Sequence, residues 1–193
     1  MANVNKPFGL RPVGNLSATG AQKQYGYQIA SGQAGAIYQG DLVVVYDGYI
    51  IKYDASTHNA PTGVFNGCQY NDPTRADKPT WKNFYPGSIT VNTGQIDCEV
   101  LDDPSQLFLI QAAGTITQAD IGKNADPTAS TTGSTTTGVS AGTLGTPAKT
   151  AALTMKIVGL SNQADNALGQ YAVVVVKLNQ HQYGSVGVAA DGA

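Results

Sequence analysis

The feature that most constrains this chain is the spacing of its β-forming residues. Val, Ile, Thr and Tyr fall into short alternating runs separated by Gly, Asn and Asp. A period of two buries one face of a strand and the separating residues make turns, so such a chain folds as many short strands. The acids point the same way: twelve are Asp and one, Glu99, is Glu. Asp competes with the helical backbone, whereas Glu supports it. Charged residues are only 12% of the chain, and no catalytic or cofactor motif interrupts the pattern. The expected fold class is mostly β, an antiparallel β-sandwich or barrel, with surfaces that serve for contact.

A length of 193 residues suits one domain with a sizeable core. Net charge is −2, and the basic residues are scattered from Lys6 to Lys177. Such scatter makes no concentrated positive field, so neither nucleic acid nor an anionic membrane is an expected partner. Cys68 and Cys98 form no Cys-x-x-Cys pair. They are expected to be small, half-buried strand residues in a reducing compartment, although a single bridge between them stays open. The opening Met1–Pro7 has no apolar stretch of the secretory kind, and about eighteen consecutive apolar residues occur nowhere. Synthesis and retention in a cytoplasm are therefore expected.

Residues 1–23 hold Pro7 and Pro12, which fix φ and push their predecessors toward extended conformations. They are expected to form an extended N-terminal arm, reaching on the order of 60–70 Å at roughly 3.3 Å per residue. The β-rich body spans residues 24–183. Within it Asp47-Gly48, between Asp41–Tyr46 and Tyr49–Tyr53, is a type I′ hairpin signal. Gly67 marks a bulge or close contact in the strand Gly63–Tyr70. Ile96, Cys98 and Val100 alternate with Gln95, Asp97 and Glu99, and Leu107–Gln111 is apolar enough for a buried strand. Thr117-Gln-Ala-Asp120 starts a helix that Gly122 ends within about one or two turns. Residues 128–148 are almost wholly Thr, Ser, Gly and Ala, with no aromatic residue, and are expected to be a long surface loop or a spacer lying on a partner. Residues 184–193 form a flexible tail.

Candidate chemistry is thin. Asp97 and Glu99 share a strand face about 7 Å apart, but opposite the apolar face, where solvated carboxylates are usual; Asp102-Asp103-Pro104 is turn chemistry. His58 and His181 have no metal-ligand spacing, and no nucleophile elbow is present. No catalytic, cofactor or metal residue is expected, and the chain is not expected to be an enzyme. A sugar-binding surface formed by Tyr25, Tyr27, Tyr46, Tyr49 and Tyr53 is weighed against ordinary strand and interface use of Tyr, which is favoured.

Several segments carry a resemblance: Pro7-Phe-Gly-Leu-Arg-Pro-Val13, Gly40-Asp-Leu-Val-Val-Val45 and Asp102-Asp-Pro-Ser-Gln-Leu-Phe-Leu-Ile-Gln111, then Asp120–Asp126, Gly133–Ser140, Lys156–Leu160, Asp165–Gly169 and Val174–His181. In this order they resemble tailed-bacteriophage capsid decoration, or cement, proteins encoded near the major capsid protein. The resemblance implies a β-rich, homotrimeric virion protein on the outer capsid surface, bridging neighbouring major capsid protein subunits. A tail, neck or fibre component, or a carbohydrate-binding adhesion module, is the alternative. Carried onto this chain, it makes Phe8, Leu10, Arg11 and Pro12 the capsid-interface candidates, with Phe8 and Leu10 filling apolar grooves and Arg11 pairing with a carboxylate or carbonyls. Truncating Phe8 and Leu10 together is expected to spare the fold and lower capsid occupancy.

Overall fold

A computed structural model describes residues 3–17, 23–128 and 133–184. The alternating runs become fifteen strands: β1 (Arg11–Asn15), β2 (Tyr25–Ile29), β3 (Ile37–Tyr38), β4 (Leu42–Tyr46) and β5 (Tyr49–Lys52); β6 (Gly63–Asp72), β7 (Lys78–Lys82), β8 (Phe84–Tyr85), β9 (Ile96–Leu101) and β10 (Gln106–Gln111); and β11 (Thr115–Ile116), β12 (Asn124–Ala125), β13 (Met155–Leu160), β14 (Gly169–Gln170) and β15 (Val173–Leu178). Among the described residues helix is limited to single 3-10 turns at Pro73–Arg75 and Gln118–Asp120. The second is the expected short helix start: the Asp120 carboxylate accepts the Thr117 N–H at 2.8 Å and hydroxyl at 2.7 Å. No helix among them is long and apolar enough to cross a membrane.

All pairings between strands are antiparallel, as expected. The first sheet has the order β1-β10-β15-β13-β12, and the second β2-β9-β6-β4-β5 with β7 beside β6. The second sheet curls until β2 and β5 approach without pairing, so no barrel closes. Ile29, Val43, Ile50, Phe65, Cys98 and Val100 fill the inside of the curl, under Ile37 and Tyr85 from the β3–β8 pair. Leu42, Val44, Val64 and Leu101 face the other way and pack on Phe108, Ile110, Ile157, Val174 and Val176 of the first sheet. The result is a sandwich of one open and one curled sheet. Leu42-Val-Val-Val45 reads as a continuous apolar run because β4 is buried on both faces.

Local signals hold. Asp47 and Gly48 have φ of 48° and 82° and join β4 to β5 with Tyr46 opposite Tyr49, the left-handed pair of a type I′ turn. The register of β6 on β9 shifts between Phe65 and Gly67, a bulge that keeps Phe65, Cys68 and Tyr70 on one face. Cys68 and Cys98 are direct partners across β6 and β9, and both are free. They are fully buried rather than half-buried, and burial pushes both thiols up, Cys68 to about 12.

The expected reach of the N-terminal segment needs correction. Residues 3–17 are extended, but they lie on the body instead of reaching away from it. β1 pairs with β10, Lys6 N–H donates to Gln111 Oε1, Gln111 Nε2 donates to the Val4 carbonyl, and Asn3 Nδ2 donates to the Ala167 and Gln170 carbonyls. Leu10 is 5% exposed, inside the core between the sheets. An extended segment with unpaired backbone groups and the open edge of β10 satisfy each other, which a free arm would forgo. Of the expected arm, residues 1–2 and 18–22 lie outside the described residues.

The segment at 128–148 is a loop, as expected, and its described part is held against the body. Leu144 is fully buried between the sheets and bridges Ala112 and Pro127, while Val139 pairs with Gln39. One Leu and a supply of backbone donors tie down a segment whose composition reads as solvent-loving. Residues 129–132 lie outside the described set, as does the expected tail after Gly184.

Burial of Leu10 reverses the mutational expectation. Leu10→Ala should cost about 2–5 kcal/mol, as for other buried leucines, seen as a lowered urea midpoint at an unchanged slope.

Candidate interaction surfaces

Where β4 begins, the chain must bury a carboxylate. Asp41 is 4% exposed. Its Oδ2 accepts the Tyr38 N–H at 2.9 Å and lies 2.9 Å from Lys52 Nζ of β5; its Oδ1 accepts the Ser140 hydroxyl. Ser140 Oγ in turn accepts the Gly142 N–H at 3.0 Å. Both oxygens of this buried anion thus meet a donor or a cation, as burial demands. Lys52 Nζ is enclosed and pairs by proximity alone, outside hydrogen-bond alignment. These groups line a cleft of about 750 Å³ together with Leu10, Tyr53 and Pro127. Neither histidine nor cysteine lines it, and the carboxylate is committed to holding β3, β5 and the 133–148 segment together.

The four interface candidates meet around a separate recess of about 120 Å³, bordered also by Gln39, Asn66 and Val139. Arg11 is exposed, Phe8 and Pro12 are half-buried, and the Arg11 guanidinium sits 4.7 Å above the Phe8 ring, a cation–π stack. Leu10 does not join them at the surface. Arg11 pairs with Leu109 on the outer face of the first sheet, so strand alternation sends Leu10 inward beside Ile110. Among the described residues the outer edge of β1 has no strand partner. Pro12 and the bulge that follows it blunt this edge against strand addition, which leaves side chains as the means of contact.

The outer face of the same sheet is half apolar. Lys177 is opposite both Leu107 and Lys156, and Val158 is exposed nearby. Like charges directly across a sheet repel, and the ion pairs among the described residues, Lys52–Asp41 and Lys123–Asp120, include neither lysine.

The remaining sequence candidates are dispersed. Asp103 accepts from the Ser105 N–H and Asn15 Nδ2, as turn chemistry predicts. Asp102 accepts the Tyr27 hydroxyl at 2.7 Å, and burial together with that carboxylate raises the phenol well above its usual range. His58 meets Tyr46 edge-on and lies tilted beside Tyr53, whereas His181 is buried, its Nδ1 accepting the Tyr183 N–H. Among the described residues no three His, Cys, Asp or Glu side chains gather for a metal. The five tyrosines do not share one surface: Tyr53 is buried with its hydroxyl 3.2 Å from that of Thr154, Tyr27 is tied to Asp102, and Tyr25, Tyr46 and Tyr49 are exposed. Asp41, Lys52 and Ser140 had no local signal, because their meeting depends on separations of eleven and ninety-nine residues along the chain.

No protein-family model matches this chain, and neither a curated protein nor a solved structure is similar to it.

Removing the Asp41 carboxylate strands the Lys52 ammonium and frees the 133–148 segment. Asp41→Ala should cost about 3–5 kcal/mol, the usual loss when one member of a buried pair goes, measured by urea denaturation. His181 sets a pH dependence. Burial holds its pKa below the ordinary value, against the opposing pull of Asp102 and Asp103. The unfolded imidazole takes up its proton below about pH 6.5 while the folded one resists. This contribution is therefore complete above that pH and is lost as pH falls through it toward the folded value. Urea midpoints should drop over that window, and His181→Asn, which keeps an acceptor for Tyr183 N–H, should flatten the drop.

Proposed function

We propose that this chain is a structural virion protein that binds the outside of a tailed-phage capsid and bridges neighbouring major capsid protein subunits, stabilising the mature shell. The observation that carries this reading is the surface at the N-terminal strand. An exposed Arg11 stacked on Phe8 stands beside Pro12 and a small recess, on an edge that rejects strand pairing. These residues belong to the segment Pro7–Val13, which resembles the decoration proteins. A stacked aromatic and an arginine beside a recess are the residue types that dominate protein contacts.

In this reading the protein acts by contact and not by catalysis, and needs no cofactor, nucleic acid or membrane. It is made in the bacterial cytoplasm and ends on the outer capsid surface. A homotrimer repeats one modest patch about its axis, and simultaneous engagement gives avidity without strong single contacts. Binding the expanded shell in preference to its precursor stabilises that shell by linkage. Because β1 is docked on the body, the contact is made by a rigid patch, with no arm to order on binding.

The chain should be present in purified virions at roughly one copy per major capsid subunit, since avidity requires filled sites. A ratio of a few per hundred assigns it instead to the tail or neck. Arg11→Ala should leave the unfolding free energy from urea denaturation within about 0.5 kcal/mol of wild type, as exposed substitutions do. On capsids it should weaken occupancy about tenfold, the loss of one hot-spot contact.

A further inference from the structure

The curled sheet presents a second surface, and it has a different chemistry. Gln28 of β2 is opposite Asp97 of β9, Asp97 is opposite Gln69 of β6, and Gln69 is opposite Trp81 of β7. Direct partners share a face, so these four side chains form one transverse row on the outside of the curl. At about 4.8 Å between strands the row runs roughly 14 Å, the length of a short oligosaccharide. The neighbouring row is Gly26, Glu99 and Gly67. Two glycines in it leave the sheet low and open, and the Trp81 ring lies across Gly67, where an added Cβ would stand 2.8 Å from the ring. That ring is 57% exposed.

The polar groups beside it have spare capacity. Asp97, Gln69 and the Trp81 indole have no hydrogen-bond partner among the described residues, and Asp97 and Gln69 are exposed. Glu99 is oriented by Gln24 Nε2 at 2.7 Å, Gln24 by Asn66 Nδ2 at 2.9 Å, and Asn66 by Gln39 Nε2 at 3.0 Å. Gln28 is held by Gln95. A flat ring with oriented amides and carboxylates alongside matches a pyranose. Its C–H face packs on the indole while its hydroxyls donate to carboxylates and exchange hydrogen bonds with amides. No Lys or Arg occupies a position in either row, and two carboxylates do, so an anionic sugar or a phosphate backbone is repelled.

We infer that the outer face of β2, β9, β6 and β7 is a binding site for a neutral oligosaccharide, with Trp81 as the stacking platform and Gln28, Gln69, Asp97 and Glu99 as hydroxyl partners. This goes beyond capsid attachment and does not use the Phe8–Arg11 stack. It also differs from a tyrosine surface, since none of the five tyrosines is in the row.

Trp81 is the only tryptophan in the chain, so its fluorescence reports on this face alone. The full chain would be applied to a printed array holding neutral, sialylated and sulfated oligosaccharides, and each ligand it retains would be titrated in solution by fluorescence. The expected result is retention of neutral glycans with a saturable change in emission. Trp81→Ala should lower retention at least tenfold and Trp81→Phe only partly. Asp97→Asn and Gln69→Ala should lower it several-fold, all at unchanged urea midpoints. Retention of no neutral glycan, preference for sialylated or sulfated ones, or binding indifferent to Trp81→Ala overturns the inference. Loss of capsid occupancy by Trp81→Ala without glycan binding also overturns it, assigning the face to a protein. The capsid proposal is read separately, from copy number and Arg11→Ala, so either can fail alone.

Discussion

The buried Asp41 carboxylate is the interaction on which the rest of the structure depends. It collects the Tyr38 amide, the Lys52 ammonium and the Ser140 hydroxyl from three separate segments. Around it the N-terminal strand crosses close enough that Leu10 N–H reaches the Gly40 carbonyl at 2.9 Å and Gly9 N–H reaches Gly142 at 3.2 Å. Added Cβ atoms at Gly9 and Gly40 would stand 2.6 Å from Ser140 Cβ and 3.0 Å from the Leu10 carbonyl oxygen. An anion in a low-dielectric interior is tolerated only when its donors are in place. Residues 3–17, the 133–148 segment and the β4–β5 pair are therefore coupled in the folded state through contacts around one carboxylate.

That coupling explains how a chain with few charges and much Thr, Ser and Gly builds a stable body. Three strands of the curled sheet, β4, β6 and β9, bury side chains both inside the curl and against the first sheet, so each contributes to two clusters. Two unlike surfaces remain outside: a basic, half-apolar edge at β1 and the first sheet, and an acidic, amide-rich face bearing one indole. We propose the first for a protein lattice and the second for an uncharged polyhydroxylated ligand.

The candidate contact surface was partly legible. Phe8, Arg11 and Pro12 are singled out by the resemblance of Pro7–Val13, and the fold gathers them around one recess. Leu10 carried the same signal and belongs to the core, because only pairing with β10 decides which way an alternating strand faces. The 133–148 segment misleads by composition: its average is polar, but Leu144 alone anchors it. The Trp81 row has no sequence signature, since its members come from four strands joined only by register.

What the sequence by itself determined is what neighbours along the chain decide. These are the strand periodicity, the Asp47-Gly48 turn, the bulge at Gly67, the one-turn helix after Thr117 and the mostly β antiparallel class. Each depends on steric and hydrogen-bonding preferences within a few residues. Only the tertiary structure decided that the N-terminal segment docks, that Cys68 faces Cys98, that Asp41 is enclosed by Lys52 and Ser140, and that Gln28, Asp97, Gln69 and Trp81 line up. Those outcomes depend on which strands pair and in what register. Register is selected by burial of the whole apolar set at once, and no short stretch of sequence contains that information.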